Sequence, residues 1–381
     1  MDFDFTQEQI MLRDLAREFF ARESTPQIVR RQMEDATGYT EATWQQMAEM
    51  GLHGVAIDAE HGGQGLGAIE QALVLDEMGR SAYAGPYFAT AVLAASALTA
   101  GGDTALLPKI ADGTLKATVA VLESAISWLP SAVQMRASRD GDGFVLNGTK
   151  RFVPWAHVAD KIIVVARTDD GTTTFALDGK APGLTQTPNL EMDRTSKTST
   201  LTFDNVRLGA DAVLGGVNRG WDVIGPMLQR AAIAASAEML GAMRRCMEMS
   251  VEYAKVRQQF GQPIGMFQAI KHSCSEMLLD VENAHAATYY AAWAQDAGAP
   301  DAGLAASVAK AYVGDASRKV CGNAIQVHGG IGFTWEYDLH LYFKRAKHLE
   351  ALYGDADFHR EQALRLALEA PVQQARQAAL V

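Results

Sequence analysis

The spacing of apolar residues changes twice along the chain, which divides it into three segments. From residue 5 to about residue 112, apolar residues recur at helical spacing with charged residues between them, and Thr6 begins this stretch as a cap-like residue. Further helices are predicted over Tyr39–Met50, Ile69–Gly79, Tyr87–Ala100 and Thr104–Ala111. We therefore expect a helical N-terminal domain, residues 1–113.

Between about residues 116 and 208 the apolar period falls to two, which is typical of β-strands. Asn147-Gly148 separates the runs Phe144–Leu146 and Lys150–Val153, and this pair of residues predicts a hairpin turn. Strand-like runs follow at Ile162–Ala166, Thr172–Leu177 and Thr200–Phe203. The middle segment, residues 114–215, is therefore predicted to be an antiparallel β domain.

After Gly220 the helical spacing returns and continues to the end of the sequence. One apolar stripe, with charged residues off it, consists of Leu240, Met243, Met247, Val251 and Ala254. A second long helix is predicted from about Leu304 to Val327. The protein is thus predicted to be mainly α with a β middle domain, and residues 216–381 form the helical C-terminal domain.

Composition narrows the function classes. The net charge of −11 and pI of about 5.3 argue against a nucleic-acid partner, which requires a basic face. Cys246, Cys274 and Cys321 are far apart in apolar helical patterns, so we expect buried free thiols in a reducing cytoplasm and no metal site. We expect no signal peptide and no membrane span, because no apolar run reaches about 18 residues.

Two short motifs carry the candidate chemistry, Tyr253–Ile264 and Gln326–Phe333. Arg257 ends an amphipathic helix, and its planar guanidinium can hold a pyrophosphate with two hydrogen bonds. Gly329-Gly330 follows a long helix and lets the backbone approach a ligand closely. Each motif alone is equally compatible with an ordinary helix end: a basic residue in the last turn, or a glycine cap.

Taken together, these motifs and Phe203–Val206 resemble the acyl-CoA dehydrogenase superfamily over essentially the whole chain. The resemblance implies a helical N-terminal domain, a barrel-like antiparallel β domain and a C-terminal four-helix bundle. It also implies flavin adenine dinucleotide (FAD), contacted at its adenine-dinucleotide half by these motifs and bound mainly by a neighbouring subunit. The implied FAD contacts in the motifs are Arg257, Gln259, Phe260, Gln326, Gly329 and Gly330.

The family desaturates acyl-CoA thioesters. A carboxylate removes a proton from Cα while a hydride leaves Cβ for the flavin N5 atom, and hydrogen-bond donors polarise the thioester carbonyl. The resemblance further implies an electron-transfer flavoprotein as acceptor. A more specific resemblance is to the bacterial branch that acts on steroid side chains or dicarboxylyl-CoA thioesters.

The catalytic carboxylate is missing from both positions that the resemblance indicates. The usual position, 23 residues after Gly330, is Tyr353, and the second position, 26 residues before Arg257, is Ala231. Two nearby carboxylates are candidate bases instead, Glu238 and Asp355. Each also has a purely structural interpretation: a buried ion pair for Glu238, with Arg230 or Arg245 as its partner, and a helix N-cap for Asp355.

The β domain also departs from the family pattern. The strand that stacks on the flavin corresponds here to Phe152–Pro154. Phe152 retains an aromatic ring for stacking, whereas Pro154 has neither a hydroxyl nor an N–H to offer the flavin.

The sequence is compatible with several functions. The chain is either an active FAD-dependent acyl-CoA dehydrogenase with an unusual base, or a subunit whose partner supplies the base. The assembly is accordingly a homo-oligomer or an α2β2 heterotetramer with a related subunit. Two further functions fit the same scaffold: a flavin monooxygenase, in which His157 assists, and a silent partner subunit that binds no flavin.

Overall fold

The computed structural model describes residues 4–378, and the side chains of residues 4–369. The chain divides into two compact units. The first unit combines the start of the chain as far as Pro26 with Ala68–Tyr83 and the chain from Ala232 onward, and the second contains Gln27–Gly67 and Ala84–Ala231. Both units are discontinuous in sequence, and the division into domains at residues 113 and 215 stays a prediction.

Most of the described chain is helical, which confirms the mainly α prediction. In chain order the helices are α1 (Gln7–Glu23), α2 (Pro26–Glu34), α3 (Glu41–Glu49), α4 (Ala68–Arg80), α5 (Ala95–Gly101), α6 (Leu107–Ala111), α7 (Gly220–Val256), α8 (Gln268–Asp296), α9 (Ala302–His328), α10 (Leu339–Ala351) and α11 (Ala356–Ala378). The segment predicted as one helix from Tyr87 is a π-helix over Phe88–Ala94 that continues into α5.

The first unit is a helical assembly with α9 at its centre, since α8, α10 and α11 all pack against α9. Helix α1 begins with a capping box, in which Thr6 accepts from the N–H of Gln9 and the Gln9 side chain accepts from the N–H of Thr6. The N–H groups of Ala68 and Ile69, at the start of α4, donate to the carboxylate of Asp296 at 2.7 and 3.1 Å. Side chains therefore satisfy N–H groups that the first turn of a helix leaves unpaired.

The second unit contains the middle β-sheet. Its strands are β1 (Ala117–Ala120), β2 (Arg136–Asp140), β3 (Gly143–Pro154), β4 (Lys161–Thr168), β5 (Gly171–Asp178), β6 (Leu184–Pro188), β7 (Thr198–Leu208) and β8 (Val213–Leu214). The order is β6-β7-β3-β2-β4-β5-β8, and β1 pairs with β4. Buried apolar side chains on these strands form one core cluster, which includes Phe144, Leu146, Val164, Phe175 and Leu201.

The expectation of an antiparallel β domain holds for most of the strand pairs, and two pairings are parallel. β1 runs parallel to β4, and Arg136 of β2 also pairs in parallel with Arg167 of β4. A parallel pair needs a long connection, and the chain between β1 and β4 provides one because it contains the β2–β3 hairpin.

The predicted hairpin turn at Asn147-Gly148 was also wrong. β3 runs continuously through these residues, and the hairpin turn lies between Asp140 and Gly143. Asn147-Gly148 instead marks a shift of register between β3 and β7. Gly148 has φ +145°, and a Cβ on it would lie 2.8 Å from Met135 Cγ, so glycine serves a bulge and a close approach here.

Within residues 4–378, no helix combines the length and the apolar character that crossing a membrane would require. The described residues also contain no cluster of three or more His, Cys, Asp or Glu side chains placed to hold a metal ion.

Two glycines bring α4 and α7 close together in the first unit. A Cβ on Gly79 would lie 1.9 Å from the carbonyl oxygen of Glu238, and one on Gly241 would lie 1.8 Å from that of Asp76. The bidentate ion pair of Arg80 with Glu248 joins the same two helices. The crossing sets the position of the α7 segment that carries Glu238.

A buried lysine holds the segment that follows α10. Lys310 of α9 is fully buried, and its Nζ donates to the carbonyl oxygens of Glu350 at 3.0 Å and Gly354 at 2.7 Å. Glu350 lies in the last turn of α10, where carbonyls lack partners within the helix. Burial lowers the pKa of Lys310 to about 7.

Gly241→Ala is expected to destabilise the protein by about 2–3 kcal/mol, because the added methyl group forces α4 and α7 apart. The matched control is Gly322→Ala on α9, where a Cβ meets no atom of the described chain within 4 Å. That control should be neutral or stabilising by up to about 1 kcal/mol. Urea unfolding of the two variants measures the difference, and equal effects would show that the crossing tolerates a side chain.

The burial of Lys310 also predicts a pH dependence. Its folded-state pKa, about 7, lies below the unfolded value of about 10.4, so between these pH values the unfolded chain binds more protons. The free energy of unfolding then gains a contribution that rises with pH across this window. Lys310→Met removes the contribution, so the stability advantage of the wild type over the variant should grow from about pH 7 to about pH 9.5.

Urea titrations at both pH values measure this change. Lys271→Met, at an exposed position of α8, is the control and should give the same difference from wild type at both. A pH-independent effect of Lys310→Met would contradict the prediction.

Candidate functional site

The first motif forms the end of α7 and a tight hairpin. The hairpin consists of two short strands, β9 (Gln258–Gln259) and β10 (Gln262–Pro263), and Phe260 and Gly261 form its turn with φ of 52° and 78°. Two successive positive φ angles are typical of a hairpin turn that glycine favours and phenylalanine does not. Phe260 nevertheless occupies this turn with 92% of its surface exposed.

Arg257 is fixed through its backbone while its side chain is exposed. Its N–H donates to the carbonyl of Tyr253 at 2.9 Å, and its own carbonyl accepts from the N–H of Ile264 at 2.8 Å. Gln259 is exposed on the same hairpin. The motif therefore presents a guanidinium and an amide from a constrained backbone.

The second motif ends α9. Gly329 follows the helix with φ +63°, and a 3₁₀ turn continues over Gly329–Phe333. Gln326, Gly329 and Gly330 are exposed, and Cβ atoms on the two glycines would meet no atom of the described chain within 4 Å. Gly329 is a helix-ending glycine, as the glycine-cap interpretation predicts, and the same turn leaves its backbone open to a ligand.

The structure brings the two motifs together in the first unit. The ring of Tyr253, one turn before Arg257, stacks on His328, two residues after Gln326, with centroids 4.4 Å apart. The exposed groups are a guanidinium, amide side chains and glycine backbone. These donors suit a diphosphate and the polar edge of a nucleoside, so the residues present fit the adenine-dinucleotide half of FAD.

Tyr353, at the usual base position, is buried in a left-handed conformation with φ 60°. Its carbonyl accepts from Nε2 of His359 at 2.9 Å, and the next carbonyl, that of Gly354, accepts from Lys310. Burial, and then the negative charge of Glu238, raise the pKa of Tyr353 far above its usual value. Tyr353 is therefore a neutral phenol, and Ala231, at the second position, offers no proton acceptor.

Glu238 is a buried partner of an arginine. Its Oε1 accepts from Nη1 of Arg345 on α10, and the two side chains are only 7% and 6% exposed. Nη2 of the same guanidinium donates to the carbonyl of Tyr83 at 3.0 Å. The expectation of an ion pair holds, but its expected partners were wrong: Arg345 lies 107 residues away in sequence, and Arg245 lies close to Glu248 and Glu252.

Asp355 lies at the start of α11. Its Oδ1 accepts from the N–H of Phe358 at 2.9 Å, which is the N-cap contact, and the side chain is exposed. The structure therefore gives Asp355 a helix-capping contact.

The remaining sequence candidates lie in the second unit. Phe152 falls within the β3–β7 register shift, between Lys150 and Val153, with φ 53°. The guanidinium of Arg151 lies 5.4 Å from its ring centroid.

Lys150, fully buried, donates to Glu123 at 2.7 Å and to the carbonyl of Val121 at 3.0 Å, and so ties β3 to the preceding loop. His157 donates through Nε2 to the carbonyl of Thr37 at 3.0 Å.

Four residues of the first unit were missed by sequence reasoning: Arg345, Lys310, His328 and His359. Each of these residues binds a side chain distant in sequence or a backbone carbonyl. No rule based on residue spacing predicts such contacts. The only signal was a charged or polar side chain in an apolar helical pattern, as at Lys310.

Comparisons with known proteins agree with this geometry. Acyl-CoA dehydrogenase family models match the chain over residues 6–114 (N-terminal domain), 127–206 (middle domain) and 218–368 (C-terminal domain). A Bacillus subtilis protein named "Probable acyl-CoA dehydrogenase YngJ" is 32% identical over 376 residues, covering 94% of this chain and 98% of that protein.

Two solved structures are similar over nearly their whole length. The ChsE4–ChsE5 complex from Mycobacterium tuberculosis matches at 28% identity with a TM-score of 0.87, covering 97% of this chain and 99% of the matched chain. A variant of the Tcur3481–Tcur3483 steroid ACAD matches at 31% identity with a TM-score of 0.87, covering 96% and 99%. By sequence and by fold, this chain belongs to the acyl-CoA dehydrogenase family.

Proposed function

We propose that this chain is a subunit of a heteromeric acyl-CoA dehydrogenase, in which it binds the adenine-dinucleotide end of FAD and a related partner subunit supplies the base. Members of the family are FAD-dependent enzymes that dehydrogenate acyl-CoA thioesters. The observation that carries the divided site is the occupancy of the base position: Tyr353 is a neutral phenol, and Glu238 is bound to Arg345.

A carboxylate that is paired with a guanidinium in a buried site is a poor base, because protonating it would leave the guanidinium unneutralised. Glu238 would have to break its bond with Arg345 before it could accept a proton from a substrate. Arg345 is also held by the carbonyl of Tyr83, so it cannot leave at no cost. We therefore assign Glu238 to the structure of this subunit and place the base elsewhere.

The role of the two motifs is to hold the cofactor. We propose that Arg257 binds the diphosphate, and that Gln259, Phe260, Gln326, Gly329 and Gly330 contact the remainder of the adenosine half. Bound FAD would supply the hydride acceptor for the reaction. Phe152 is proposed as a ring that stacks on the flavin.

Exposed apolar side chains beside both motifs support a partner subunit there. Phe260 and Val256 are 92% and 73% exposed near the first motif, and Phe333 is 82% exposed at the second. Large apolar groups that cluster on a surface indicate contact with another protein or a ligand. We propose that the partner is a related chain in an α2β2 assembly, since two similar structures each carry the names of two chains.

We also propose a substrate, an electron acceptor and a cellular location. A steroid side-chain thioester of CoA is our preferred substrate, supported by the similarity to a steroid ACAD. The acceptor is proposed to be an electron-transfer flavoprotein, and the location is proposed to be the cytoplasm. An active homo-oligomer that uses Glu238 or Asp355 as its base is the competing proposal.

Arg257→Ala is expected to raise the dissociation constant of FAD by about 10–100-fold, which corresponds to the loss of a charge-assisted bidentate contact. The dissociation constant of FAD in Arg257→Lys should lie between those of Arg257→Ala and wild type, because an ammonium keeps the charge but not the planar pair of donors. Flavin fluorescence quenching in the purified oligomer measures the affinity. Lys255→Ala, an exposed change in the last turn of α7 two residues before Arg257, is the control, and an effect equal to that of Arg257→Ala would contradict the assignment.

The isolated chain, loaded with FAD and mixed with a steroid acyl-CoA without oxygen, is expected to show no flavin bleaching. The same assay on the assembly purified from its native source, with the related chain present, should bleach. Glu238→Gln in that assembly should retain the bleaching per bound flavin to within about tenfold, because general-base removal alone costs about 10²–10⁴-fold.

The competing proposal predicts the opposite pattern. Bleaching by the isolated chain that disappears in Glu238→Gln would identify Glu238 as the base and overturn the divided site. Asp355→Asn is the matched test for the other carboxylate. Under the divided-site proposal, this variant should leave the bleaching of the assembly unchanged.

A further inference from the structure

Three aromatic rings cluster where the two motifs meet. The ring of His328 stacks on that of Tyr253, with centroids 4.4 Å apart and 24° between the ring planes, and lies 4.9 Å from that of Tyr337 at a tilt of 49°. Tyr253 belongs to α7, His328 ends α9, and Tyr337 lies beyond the Gly329–Phe333 turn. The cluster thus joins both motifs to the segment that follows the second.

The position of His328 in this stack is fixed by a hydrogen bond. Nδ1 donates to the carbonyl of Ala324 at 2.7 Å, one turn earlier in α9. The side chain is buried, and Nε2 has no hydrogen-bond partner within the described part of the chain. Burial lowers the pKa of His328, so the ring is a neutral imidazole whose tautomer the Ala324 contact determines.

Both Tyr253 and the residues after His328 connect directly to the groups that would hold FAD. The carbonyl of Tyr253 accepts from the N–H of Arg257, and the backbone of His328 continues into Gly329-Gly330. Cβ atoms on Gly329 and Gly330 would meet no atom of the described chain within 4 Å, whereas a Cβ on Gly332, in the same turn, would lie 3.0 Å from the Cβ of His328. The turn therefore follows His328 in the backbone and also packs against it.

We infer that His328 is a positioning residue of the cofactor site, which sets the Gly329–Gly330 turn against the Arg257 hairpin through its stack on Tyr253. The inference rests on the proposed FAD-binding function of the two motifs. In this role His328 touches neither substrate nor reacting atoms; its effect is to present the two groups of donors at a separation that one diphosphate and its adenosine can bridge. Such preorganisation raises affinity because less ordering remains to be done on binding.

Three substitutions separate the two contacts of His328. His328→Ala removes both the stack and the Ala324 hydrogen bond, His328→Phe keeps an aromatic ring, and His328→Asn keeps a donor without the ring. In the purified oligomer, the dissociation constant of FAD should rise about tenfold in the Ala and Asn variants, equivalent to about 1.4 kcal/mol. His328→Phe should restore it to within about threefold of wild type.

A second readout needs no cofactor. In the FAD-free protein, amide hydrogen exchange across residues 326–333 should be faster in His328→Ala and His328→Asn than in His328→Phe or wild type. The control is His272→Ala, at an exposed histidine of α8, which should change neither measurement. If the Ala variant fails to fold, the comparison of Phe with Asn still decides between the stack and the hydrogen bond.

The outcomes are distinguishable. Unchanged FAD affinity in both His328→Ala and His328→Asn, with Arg257→Ala weakened, would overturn the role of His328 alone. Equal loss in the Phe and Asn variants would also overturn it, because the stack would then contribute nothing. Unchanged affinity in Arg257→Ala and in Gln326→Ala would instead overturn the proposed cofactor site itself.

Discussion

The buried ion pair of Glu238 with Arg345 is the interaction on which the interior of the first unit depends. It joins α7 to α10, and through the carbonyl of Tyr83 it also holds the segment after α4. Removing one partner of such a pair leaves an uncompensated charge and costs about 3–5 kcal/mol. Gly79 and Gly241 let α4 and α7 approach until their backbones nearly touch in the segment of α7 that carries Glu238. Close helix packing therefore helps to set the position of the carboxylate that pairs with Arg345.

The sequence correctly predicted features set by neighbouring residues, such as helices and strands. It failed for features that depend on a partner far away in the sequence. Alternation and helical spacing identified the helix, strand, helix order, and a glycine after a long apolar helix correctly predicted the end of α9. Asn147-Gly148 was misread, because the same residues that favour a two-residue turn also suit a bulge packed against Met135. Arg345 could not be foreseen as the partner of Glu238: an arginine on one helix gives no sign of which carboxylate it will meet 107 residues away.

Two buried lysines show a common way of holding irregular segments in this chain. Lys310 donates to carbonyls on either side of Tyr353, and Lys150 donates to Glu123 and to the carbonyl of Val121 beside the strand that carries Phe152. Burial lowers the pKa of both, to about 7 and about 8. Burying an ammonium away from water is costly, and here the cost is offset by hydrogen bonds to backbone carbonyls and, for Lys150, to the Glu123 carboxylate. The two lysines thereby hold the segments that carry Tyr353 and Phe152.

Backbone conformation and electrostatics act together at Tyr353. Tyr353 keeps a left-handed backbone, which a bulky residue adopts only when its surroundings impose it. Lys310 and His359 impose it through the carbonyls of Tyr353 and Gly354. The charge of Glu238 that raises the pKa of Tyr353 would act in the same direction on a carboxylate at position 353, disfavouring its ionised form. A glutamate there would thus have a raised pKa beside Glu238, and removing Glu238 would leave Arg345 unpaired. The neutral phenol of Tyr353 and the ion pair of Glu238 with Arg345 therefore form one electrostatically consistent set, in which a change at one member alters the charge balance of the others.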